Sequence, residues 1–103
     1  MTRLAQLTTL LTEKHAGRVT DLHLVRGNEL HCRVAPAGVP ALAALLRMGF
    51  GTELIFMAAA DRRADRGSFE VSYLFAPERE NWFVHATAAV AWTSQFSRSG
   101  ANR

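Results

Sequence analysis

Leu4, Leu7, Leu10 and Leu11 open the chain as one apolar stripe at helical spacing. The pattern predicts a first helix, capped by Thr2 and ended by Gly17, which suits the left-handed conformation common just past a helix. Residues 18–26 and 30–35 read as two short strands joined around Gly27-Asn28-Glu29. Two registers compete for this hairpin. A two-residue turn sets Leu24 opposite His31 and mixes apolar with polar residues on one face. A three-residue loop pairs Leu24 with Cys32 and Leu22 with Val34, leaving His23, Val25, His31 and Arg33 on the other face. The second register buries a consistent apolar set and is preferred.

Pro36 and Pro40 stop the second strand, and Pro40 suits the first turn of a helix. That helix carries Leu42, Leu45 and Leu46 on one face and ends near Met48-Gly49, with Gly49 as its cap. Three strands follow, over 53–60, 68–76 and 81–91. In the middle one Phe69, Val71, Tyr73 and Phe75 share a face, opposite Glu70, Ser72 and Leu74. In the last, Trp82, Val84, Ala86, Ala88 and Val90 alternate with Phe83, His85, Thr87 and Ala89. Apolar residues on both faces mark a central strand or an outer face covered by a partner. The order α-β-β-α-β-β-β predicts an α+β fold, an antiparallel sheet of about five strands with two helices on one face. Residues 1–93 form the single domain, and 94–103 read as a flexible polar tail.

Composition narrows the field. A chain of 103 residues holds one core. The formal charge is +3, and eleven of the twelve basic residues are arginine, with Lys14 the exception. Acidic residues are interleaved throughout, so no single basic face marks a nucleic-acid binder. Cys32 is the only cysteine, which excludes an internal disulfide or a cysteine-ligated cluster and fits a reducing cytoplasm. The opening Met1–Leu4 starts an amphipathic pattern without the apolar run of a signal peptide, and no segment approaches the roughly 20 apolar residues of a membrane span.

Candidate chemistry is sparse. His23 and His31 share the outer face of the hairpin, but two imidazoles lack the third ligand of a catalytic zinc site. His85 stands as a lone histidine, read as structural. Asp61 reads as a loop brace beside Arg62 or Arg63 more readily than as a general base. Arg62, Arg63 and Arg66 could grip phosphate, yet Asp61 and Asp65 offset most of their charge. Cys32, on the predicted core face, is inert. The stretch Arg66–Val71 is superficially like an RNA-recognition strand, and Ser68 and Glu70 spoil the match. No motif assembles an active site.

One likeness does carry functional content. Met48-Gly49-Phe50 ends a helix, Ala60-Asp61 closes a small-residue strand, and Gly67-Ser68-Phe69-Glu70-Val71-Ser72-Tyr73-Leu74-Phe75 alternates after an Arg/Asp loop. Asp61-Arg62-Arg63, Arg66-Gly67-Ser68-Phe69 and Trp82-Phe83-Val84 complete the set. In this order the segments resemble the 30 kDa subunit family of respiratory NADH dehydrogenase (complex I). They resemble still more closely the related domain of membrane-bound nickel–iron hydrogenases and formate hydrogenlyases. The resemblance covers residues 40–91 by motif and the whole chain by element order.

It implies a non-catalytic subunit without cofactor, binding neither NADH nor flavin, iron or nickel, and docked on the large catalytic subunit of such a complex. That places it in the cytoplasm, peripheral to the inner membrane, inserting into no membrane and binding no nucleic acid, with self-association left open. The implied interface is Asp61, Arg62, Arg63, Arg66, Phe69, Tyr73, Trp82 and His85. The helix that usually continues this family, bearing a Trp-x-Glu-Arg-Glu-x-x-Asp-like signature, has no counterpart in Trp92-Thr93-Ser94-Gln95-Phe96. The alternative reading is a small α+β nucleic-acid- or ligand-binding module.

Overall fold

The computed structural model describes residues 3–14 and 18–91. Thr2, Gly17 and the tail at 94–103 lie outside the described residues, and so do the roles expected of them. Helix α1 (Arg3–Lys14) buries Leu4, Leu7 and Leu11, while the half-buried Leu10 packs beside them. Strands β1 (Val19–Val25) and β2 (Glu29–Val34) form the first hairpin. A 3-10 turn (Pro36–Gly38) leads into α2 (Val39–Phe50), which has proline in its first turn and buries Leu42, Leu46 and Phe50. The second half is β3 (Thr52–Arg62), a single helical turn α3 (Arg63–Arg66), β4 (Ser68–Pro77) and β5 (Phe83–Ala91).

The α+β class and the helix–strand order hold, with α3 added in the Arg/Asp loop. The sheet order is β1-β2-β5-β4-β3. The sheet is mixed rather than antiparallel throughout, because β2 and β5 pair in parallel while the other neighbours are antiparallel. The reason is directional. Helix α2 carries the chain back along the sheet, so β3 sets out the same way as β2; β4 reverses, and β5 again runs with β2. Hydrogen bonds from the Phe83 amide to the Asn28 carbonyl (3.0 Å) and from the Asn28 side chain to the Asn81 carbonyl (3.4 Å) align the start of β5 with the first hairpin.

Both helices cover one face of this sheet. Their leucines share a single core with Leu30, Cys32 and Val34 of β2, Phe75 of β4, and Val84, Ala86 and Ala88 of β5. Trp82, just before β5, belongs to the same core.

Two local expectations are corrected. The first is the register of the opening hairpin, where Leu24 faces Leu30 and His23 faces His31. Val25 pairs with Glu29 across Arg26-Gly27-Asn28, so the three-residue loop begins one residue earlier than expected. The register shifts between Thr20 and His23. There Asp21 takes a left-handed φ of 52° and, with Leu22, opposes Cys32 alone. Such a bulge is tolerated because aspartate is among the few residues that adopt this conformation at modest cost.

The second concerns the end of α2. The helix continues through Gly49 to Phe50, and Gly51 (φ 67°, ψ 27°) is the left-handed cap, its amide donating to the Arg47 carbonyl at 3.1 Å. Phe50 is drawn into the core at 8% exposure, which extends the helix by the two residues needed to bury it.

Candidate functional site

Two surfaces stand out, both set by topology. The first is β3, which lies at the edge of the sheet with only Thr52 of its eleven residues buried. Leu54, Ile55, Phe56 and Met57 are 49, 58, 59 and 60% exposed. An edge strand presents unpaired amides and carbonyls to anything that can complete a ladder, and proteins usually blunt such edges with lysine, proline, short length or a bulge. Here a register irregularity between Leu54 and Phe56 is the one such device. Beyond it, pairing with β4 is regular from Phe56↔Leu74 to Arg62↔Ser68. The strand carries no lysine or proline, and its charges sit at its ends, Glu53 on one side and Asp61 and Arg62 on the other.

The tip of the β3–β4 hairpin is built on Asp61. Its carboxylate accepts the Arg63 amide at 3.1 Å and the Arg63 guanidinium at 2.9 and 2.8 Å. The same guanidinium stacks 4.8 Å above the Phe69 ring. These hydrogen bonds hold the Asp61 carboxyl at about 2 and raise the Arg63 pKa. A carboxylate held so low is a poor general base near neutrality, so the bracing role is the one its geometry serves. Glu70 organises the other arginines, accepting from Arg66 at 2.8 Å and Arg33 at 3.5 Å. Arg33, Arg63 and Arg66 therefore each have a carboxylate partner.

The second surface is the sheet face opposite the helices. His23 of β1 pairs with His31 of β2, and His31 pairs with His85 of β5, so three imidazoles lie in a row across three strands. The ring centroids are 5.5 Å apart for His23–His31 and 4.9 Å for His31–His85. An open cleft of about 520 Å³ runs over all three, with Arg33 and Thr87 at its rim. Burial pushes the His85 imidazole below its usual pKa; the neighbouring His31 adds to this and Glu29 opposes it. His85 is thus not the lone histidine that the sequence suggests. Its partners are invisible in the sequence because the parallel β2–β5 pairing brings them together.

The expected interface residues separate into three places. Asp61, Arg62, Arg63, Arg66 and Phe69 gather at the hairpin tip. Trp82 is buried in the core at 8% exposure, and Tyr73 packs half-buried on that same core, its ring 6.4 Å from Phe75. His85 lies on the opposite face of the sheet beside His31. Trp82 is therefore unavailable as a surface anchor. The sequence, in which 53–60 reads simply as a strand, does not single out the exposed Leu54–Met57 run.

Among the described residues no helix is long and apolar enough to cross a membrane. Compared with models of known protein families and with curated proteins, the chain matches none.

Proposed function

We propose that this chain is a non-catalytic subunit of a hydrogenase- or complex I-like oxidoreductase, docked onto the large catalytic subunit along β3 and the hairpin tip. The observation that carries the reading is the exposed edge strand. Its Leu54–Met57 run is half or more exposed beside unpaired backbone groups, a combination suited to strand addition by a partner chain.

The motifs behind the family resemblance support the choice of partner. Met48-Gly49-Phe50 closes α2, Ala60-Asp61 lies near the end of β3, and Ser68–Phe75 lies within β4. The segments that resemble the family therefore frame the edge strand on both sides. In this reading the protein transfers no electrons and holds neither NADH nor flavin. It works in the cytoplasm, peripheral to the inner membrane through its complex.

Affinity capture of the full chain from its native host, with mass spectrometry of what co-purifies, tests the proposal. A nickel–iron hydrogenase-type or complex I-type large subunit, recovered in stoichiometric amount, is expected. Capture that consistently lacks such a subunit contradicts the reading.

A further inference from the structure

We propose that the row His23–His31–His85 is a binding site for a divalent first-row metal ion of the zinc class, with three imidazole ligands and an open fourth position. The three side chains come from neighbouring strands at one level, with His23 facing His31 and His31 facing His85. Rings that share a tetrahedral zinc ion, each nitrogen about 2 Å from the metal, have centroids about 5 Å apart. The two adjacent pairs stand at 5.5 and 4.9 Å, while β2 separates the outer pair, His23 and His85. As they stand, no group of three His, Cys, Asp or Glu residues among the described ones could hold a metal ion, so the site forms only when the outer rings turn toward the middle one. His23 is exposed on the edge strand β1, its ring tethered through the Nδ1 contact to the Asp21 carbonyl.

The surrounding contacts prepare the nitrogens for ligation. His23 Nδ1–H donates to the Asp21 carbonyl at 2.9 Å, leaving the Nε2 lone pair outward. The left-handed bulge at Asp21 sets the position of that carbonyl. His31 Nε2 lies 3.4 Å from the Glu29 carboxylate, which favours the proton there and the lone pair on Nδ1. Metal-binding histidines characteristically donate their second ring N–H to a backbone carbonyl or a carboxylate, and both arrangements are present here. Glu29 also supplies a negative charge beside the row. Imidazole donors suit zinc, copper, nickel and cobalt, and a set of nitrogen donors argues against calcium or magnesium, which take oxygen ligands.

Titration calorimetry of the full chain with zinc chloride, and visible spectroscopy with cobalt(II), test the site. One zinc per chain is expected, with the intense absorption of four-coordinate cobalt. His23→Ala, His31→Ala and His85→Ala should each weaken zinc binding about tenfold or more. Because His23 is exposed, His23→Ala keeps its melting temperature and separates lost ligation from lost folding. Absence of zinc binding in the titration, or binding that survives His85→Ala unchanged, overturns the proposal.

Discussion

Cys32 shows what burial does to one residue. Its thiol is 4% exposed among the core side chains, and desolvation raises its pKa from 9.0 to about 11. Only the thiolate reacts readily with disulfide reagents, so the folded protein should be labelled very slowly at pH 8 and completely once denatured. Linkage fixes the direction of the accompanying pH effect. Between pH 9.0 and about 11 the unfolded chain loses the thiol proton while the folded chain keeps it. Stability from this group is fully present below pH 9.0 and declines as pH rises toward about 11. Denaturant titrations of the parent and Cys32→Ala across that range should converge as pH rises, the variant lacking this part of the decline. Equal slopes for the two proteins would contradict the assignment. The inertness of Cys32 was legible in the sequence because alternation alone puts it on the core face. The histidine row was not, since no local pattern reveals which strand will lie beside β2.

At the level of elements, the end of α2 separates two glycines that sequence reasoning confuses. Gly49 lies within the exposed last turn of the helix, where an added Cβ would meet only the Leu45 Cδ1 at 3.7 Å, an ordinary contact. Gly51 holds φ at 67°, a conformation that a side chain resists even in open space. Gly49→Ala should therefore stabilise the protein by about 0.5–1 kcal/mol, and Gly51→Ala should destabilise it by about 1 kcal/mol. Chemical denaturation of both variants checks the pair, and the opposite signs would restore Gly49 as the cap.

The strands themselves were legible to within two or three residues, because strict alternation in 68–76 and 81–91 admits little else. Two features escaped that reading. A hydrophobic pattern says which face a residue occupies and nothing about strand order, so the parallel β2–β5 pairing was hidden. The bulge at Asp21 shifts register by one residue, and an aspartate in a strand gives no sign of its φ.

For the molecule as a whole, the decisive feature is an asymmetry between the two ends of the sheet. On β1, Val19 lies in the helix-covered core and Leu22 packs against it, whereas β3 gives that core no residue and buries only Thr52. Residues 54–60 present side chains and backbone groups that the chain's own helices do not cover. In sequence they read only as a strand over 53–60, because hydrophobicity reports what a segment needs to bury and not which chain will bury it. A partner that adds a strand along β3 would extend the ladder, cover Leu54, Ile55, Phe56 and Met57, and meet the Asp61–Arg63 brace at the tip.

The most direct test compares capture by the parent chain with capture by Phe56→Lys/Met57→Lys, which leaves the core intact and places two charges on the edge. The account predicts that both proteins fold with the same circular dichroism, while the double variant loses the large oxidoreductase subunit that the parent retains. Equal recovery of that subunit by the two proteins would contradict docking along β3.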